Sequence, residues 1–114
     1  MGMIENLEAL IASGRDGAAV RFALASRYAA EGQLDRAVEH AQVAVTQDPD
    51  YSAAWKLLGR VLADSGRAGE AAEAYRRGID VAERRGDQQA AKEMRVFLKR
   101  VVRASGGPGS DKNN

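Results

Sequence analysis

Cysteine is absent from the 114 residues. That excludes a disulfide framework and any thiolate metal or redox site, and it suits a reducing cytoplasm. Histidine occurs once, as His40, too few for the usual zinc sites. Aromatic residues make up 5% of the chain and proline occurs twice. Long apolar runs are missing. The longest uncharged run before the C-terminal tail is Ala41 to Gln47, far short of the roughly 20 apolar residues of a membrane span. The start, MGMIENLEAL, lacks a basic segment and carries Glu5 and Glu8, so no secretory signal is expected. Gly2 follows Met1, but Asn6 stands where myristoylation wants Ser or Thr. A large charge of one sign is also missing, since 17 basic and 16 acidic groups leave a net charge of +1. No global field steers the chain toward nucleic acid or a membrane.

What is present is the composition of one globular domain, 45% hydrophobic and 29% charged. Apolar residues recur at helical spacing in six segments, about 3–13, 17–31, 34–47, 51–65, 68–84 and 87–103. Gly32, Gly66 and Gly86 follow three of them, where a left-handed residue ends a helix. Pro49 stops the third, and Asp87 is a candidate N-cap for the sixth. No window alternates with period two, so no strand is expected. The tail SGGPGSDKNN has no apolar residue, and residues 104–114 are expected to be disordered. The domain is then 1–103.

Residues 18–51 laid over 52–85 align Ala19 with Ala53, Leu24 with Leu58, Gly32 with Gly66, Ala37 with Ala71 and Glu39 with Glu73. Small residues also pair: Ala25 with Gly59 and Ala44 with Gly78. Small side chains at these points let antiparallel helices approach closely while Leu24 and Leu58 fill the grooves. Here the chain resembles the tetratricopeptide repeat (TPR) family, whose template is W-x2-L-G-x2-Y, A-x3-F, P at a period of 34. The second repeat supplies Trp55, Leu58, Gly59, Ala71 and Tyr75, with Leu62 in place of Tyr. The first supplies Leu24, Tyr28, Ala37 and Pro49, with Arg21 and Ala41 at two aromatic positions.

The resemblance implies an all-α, right-handed array of helical hairpins. It has two repeats, 18–51 and 52–85, an N-terminal helix at 3–13 and a capping helix at 87–103. Two repeats leave an apolar face at each end, which the flanking helices are placed to cover. Lys92 sits where Leu24 and Leu58 would recur, a departure that suits a cap facing water.

No constellation points to catalysis. His40 reads as a surface residue of a convex face, and Ser13, Ser26, Ser52 and Ser65 have no base at suggestive spacing. The string Gly14-Arg15-Asp16-Gly17 lacks the Gly-Lys-Ser/Thr of a phosphate loop. Neither metal nor cofactor is expected, and the reading is non-enzymatic.

The resemblance implies instead a concave face, lined by the first helix of each hairpin, that holds a peptide or protein segment. Phe22, Ser26, Lys56 and Arg60 are the candidate contacts. Phe22 has no evident internal partner, and Lys56 and Arg60 lie one turn apart. A guanidinium with an ammonium beside it suits an acidic ligand. Some members of the family clamp a C-terminal dicarboxylate using two Asn. The matching positions here hold Ser26 and Leu57, which argues against that mode.

Charge is uneven along the chain. Residues 1–50 carry 4 basic and 8 acidic groups, and residues 51–114 carry 13 and 8. Besides a solvated surface, this pattern leaves two alternatives. One is head-to-tail self-association. The other is weak nucleic-acid contact through residues 76–103, against which Trp55, Tyr75 and Phe97 of the chain look like core rather than a stacking platform. The expected setting is a cytoplasmic adaptor of a bacterium, with no membrane contact.

Overall fold

The computed structural model describes residues 2–105. They form six helices: α1 (Met3–Ala12), α2 (Ala18–Ala30), α3 (Leu34–Gln47), α4 (Ser52–Asp64), α5 (Ala68–Arg84) and α6 (Gln88–Ala104). No strand occurs among the described residues. Residues 106–114, which hold most of the segment expected to be a tail, lie outside them, and α6 includes Ala104.

The helix breaks repeat along with the helices. Gly32 and Gly66 adopt φ of 76° and 79°, where any side chain would be strained. Each turn closes the same way. The Gln33 N–H donates to the Tyr28 carbonyl at 2.9 Å, and 34 positions later the Arg67 N–H donates to the Leu62 carbonyl at 2.9 Å. This six-residue bond satisfies carbonyls that the helix end leaves open. Asp87 caps α6, its Oδ1 accepting from the Ala90 N–H at 3.1 Å. Ser13 is the C-cap of α1, and its hydroxyl donates to the Leu10 carbonyl at 2.8 Å.

Consecutive helices pack as antiparallel neighbours, α2 on α3, α4 on α5 and α5 on α6 most broadly. Leu24, Ala25, Ala37, Ala41 and Ala44 are fully buried between the first pair. Small residues set the spacing. A Cβ built on Gly59 would lie 2.6 Å from the Tyr75 ring, and one on Gly78 would lie 2.5 Å from Met94 Sδ and 2.9 Å from Trp55 Cβ. Tyr75 and Met94 therefore lie directly on helix backbone.

Two side chains depart from expectation. Trp55 is half-buried rather than enclosed, because its indole N–H reaches out of the core to the Pro49 carbonyl at 2.7 Å. His40 is not a convex surface residue. It is half-buried between α2 and α3, stacked on Tyr28 at 5.5 Å with the rings 10° apart.

The helices divide into two layers. α2 touches α4, and α4 touches α6, forming one layer. α3 and α5 lie behind it. The sixth helix packs on α5 and reaches α4, so it covers the end of the second repeat and continues the front layer. The period slips ahead of it: α3 has 14 residues and α5 has 17. α6 begins 36 residues after α4, whereas α4 begins 34 after α2. The slip puts Ala91 and Met94 into the core and leaves Lys92 exposed.

Candidate functional site

The front layer encloses a groove of about 620 Å³. All four candidate contacts line it: Phe22 and Ser26 from α2, Lys56 and Arg60 from α4. Ala53 and Ala63 form the α4 floor between them, with Asp64 at the edge. Phe97, Arg100 and Val101 supply the α6 wall, and Tyr75 reaches in from α5.

Phe22 has an internal partner after all. Its ring meets Tyr51 at 5.1 Å with a 40° tilt, across the linker that joins the two hairpins. The pair fixes an apolar end of the groove. Ser26 lies one turn further along α2 and is half-buried.

Lys56 and Arg60 share a face but differ in state. The Lys56 ammonium lies 2.5 Å from Glu93 of α6 and 5.9 Å from the centre of the Phe97 ring. Lys56, with help from Gln89, holds the Glu93 carboxyl below the usual carboxylate range. Lys56 is thus a strut between α4 and α6. Arg60 is the open cation. Its contact is Asp64, one turn on, at 3.9 Å and well exposed to water. Such a pair is weak and yields readily to a better acceptor.

Sequence reasoning missed Arg100 and Phe97. Arg100 lies 5.7 Å over the Phe97 ring and makes no ion pair among the described residues. A guanidinium on an aromatic face keeps its N–H edge available to a carboxylate. The spacing of residues 93, 97 and 100 shares one helical face, but nothing in the sequence turned that face toward α4. Burial pushes the Tyr75 hydroxyl up to about 12, so it remains a neutral hydrogen-bonding group. The groove thus pairs an aliphatic and aromatic floor with Arg60 and Arg100, and Asp64 is the one carboxylate lining it. It has the chemistry to hold an extended segment that is acidic at one edge.

No group of three or more His, Cys, Asp or Glu that could hold a metal ion occurs among the described residues. No helix among them is long and apolar enough to cross a membrane.

Comparison with known proteins agrees with this architecture. The family model described as tetratricopeptide repeat matches residues 28–94. A TPR repeat-containing protein of Pseudomonas aeruginosa, PA0015, is 47% identical over 102 residues, covering 90% of this chain and 97% of that protein. The heat-shock protein cognate co-chaperone sgt12 of Aspergillus fumigatus is 40% identical over 78 residues, 68% of this chain but 23% of its own length. Among solved structures, protein BPP2914 of Bordetella parapertussis superposes with a TM-score of 0.80 at 38% identity, covering 100% of this chain and 99% of that one. A tetratricopeptide repeat domain protein of Salinibacter ruber superposes with a TM-score of 0.70 at 27% identity over 75% of this chain and 87% of that one. With its period, its small-residue contacts and its two-layer packing accounted for, the chain belongs to the tetratricopeptide repeat family.

Proposed function

We propose that this chain is a non-enzymatic protein-interaction module that binds an extended, acidic segment of a partner in the groove of α2, α4 and α6. The observation that carries the reading is the groove lining itself, in which Arg60 and Arg100 face an apolar floor with Asp64 as the one acid. Phe22 takes an apolar side chain of the ligand, Ser26 a backbone hydrogen bond, and the two guanidinium groups its carboxylates. Lys56 contributes by holding α6 against α4 and by adding positive potential. Relatedness to a co-chaperone supports a protein partner as the class of ligand. Residues 1–103 act as one unit in this reading. An adaptor in a bacterial cytoplasm fits both the cysteine-free sequence and the relatives from Pseudomonas and Bordetella.

Calorimetric titration with a short peptide mixing Glu and Leu, against its Lys-for-Glu counterpart, tests the proposal. The acidic peptide binds, its affinity falls with salt, and Arg60→Glu/Arg100→Glu weakens it at least about tenfold. Equal binding of both peptides, or an unaffected double variant, contradicts it. Lys56→Glu is the poorer probe, because it sets a second carboxylate against Glu93 and disturbs the α4–α6 contact itself.

A further inference from the structure

The chain has three tyrosines, and their hydroxyls meet different surroundings. Tyr28 donates to Glu8 of α1 at 2.5 Å. Tyr51 is only half-buried. Tyr75 is 3% exposed, and its hydroxyl makes no hydrogen bond among the described residues. A buried hydroxyl without a partner costs free energy, so its presence calls for a reason.

Packing does not supply that reason. Tyr75 ends the A-x3-F stretch that begins at Ala71, where the repeat template has Phe. The ring alone fills the place. A Cβ on Gly59 would lie 2.6 to 2.8 Å from three of its carbons, and Phe97 meets it at 5.8 Å with a 41° tilt. In the first hairpin the same position is Ala41, fully buried and without a polar side chain. The hydroxyl is therefore surplus to the fold, and it occurs in the hairpin that carries Arg60.

Its surroundings suit a ligand instead. Tyr75 lines the groove together with Arg60, Asp64 and Arg100. Burial does most to raise the proton affinity of the hydroxyl. Asp64 raises it further and Arg60 lowers it, so the hydroxyl lies within reach of both charges. Gly59, on which the ring rests, precedes Arg60 in α4. Arg100 lies over Phe97, the other neighbour of the ring. Three donors thus converge from α4, α5 and α6, and the middle one is held on two sides before any ligand arrives.

We propose that the Tyr75 hydroxyl and the Arg60 guanidinium seat one carboxylate of the ligand on the groove floor, with Arg100 facing it from the α6 wall. This assignment rests on the reading of the groove as a site for an acidic segment, and it names the donor that fixes one carboxylate in place. The ligand carboxylate replaces Asp64 as the acceptor for Arg60, which the exposed 3.9 Å pair permits. It also accepts the Tyr75 O–H, a charge-assisted bond stronger than one between neutral groups. The hydroxyl gains in the complex the partner that the free chain does not give it.

Calorimetric titration of Tyr75→Phe with the Glu-Leu peptide, beside denaturant melts of the free protein, tests the proposal. The variant keeps the ring and removes the unpartnered hydroxyl. Its denaturant midpoint equals or exceeds that of the parent, while its affinity for the peptide falls about tenfold. The loss persists against peptides in which each Glu in turn becomes Ala, except at one position, where it vanishes. Unchanged affinity in Tyr75→Phe, with Arg60→Glu/Arg100→Glu still weakening binding, overturns this subsite and leaves the groove reading standing. A lower midpoint, or the same affinity loss with every peptide, gives the hydroxyl a structural role and also overturns it. A peptide that does not bind the parent chain overturns both readings.

Discussion

His40 shows how one side chain ties local packing to solution behaviour. Burial between α2 and α3 lowers its proton affinity below the ordinary 6.5, and the Arg21 guanidinium, 3.0 Å from Nδ1, lowers it further. Glu39 and Glu8 oppose this, and Arg36 adds to it. The folded chain therefore favours neutral His40. Stability from this group is complete above the unfolded value and is lost as pH falls from about 6.5 through the lower folded value. Thermal melts across that window should show a decline that His40→Gln removes. Asp16 acts in a separate window. Its hydrogen bonds from Arg21 at 2.7 Å and from Gln47 hold its carboxyl far below the usual range, and its share is lost only in stronger acid. The small residues give a second test. Gly59→Ala pushes a methyl into the Tyr75 ring, and Ala37→Leu or Ala71→Leu overfills sites that are 0% exposed. Each should cost about 1–3 kcal/mol in denaturant melts. The repeat register was legible from such residues because their smallness is a packing requirement visible in sequence. The Phe22–Tyr51 contact was not legible, since Tyr51 lies just ahead of α4, outside any helical periodicity.

At the scale of elements, the helices differ in how firmly they are held. α2 to α5 each bury several residues, whereas no residue of α1 is fully buried. Ile4, Leu7 and Ile11 pack on the core edge, and Glu8 accepts a hydrogen bond from the Tyr28 hydroxyl at 2.5 Å. Amide hydrogen exchange should find α1 opening at lower free energy than α4 or α5. Tyr28→Phe should speed exchange in α1 and leave α5 unchanged. α6 marks the limit of reading an element from its sequence. Its amphipathic pattern, its Asp87 cap and its length were plain. Its residue register was hidden by the longer α5, which makes Met94 rather than Lys92 correspond to Leu24 and Leu58. A strict 34-residue template therefore read a polar residue in a core position, where the chain had shifted the position instead.

For the whole molecule, the charge asymmetry resolves into parts with different environments. On α5 the basic residues are interleaved with acids: Arg77 pairs with Glu73 at 3.1 Å and Arg84 with Asp80 at 3.2 Å. On α6 the bases outnumber the acids, with Arg100 turned into the groove and Lys92, Lys99 and Arg103 turned outward. One helix thus carries Arg100 of the proposed ligand site and an exposed basic stripe. Lys56 and Glu93 fasten that helix to α4. Lys56→Met should consequently loosen the groove wall and lower stability modestly, by about 1 kcal/mol or less, since the pair is exposed.

The central claim is that ligand binding resides on the α2, α4 and α6 layer. The most direct measurement is the change in backbone amide NMR shifts of the whole chain on titration with the acidic Glu-Leu peptide. The account predicts that shifts concentrate at Phe22, Ser26, Arg60, Phe97 and Arg100, and that Arg60→Glu/Arg100→Glu abolishes them. Shifts confined to α3, α5 and the outer face of α6, unchanged in that variant, would contradict it.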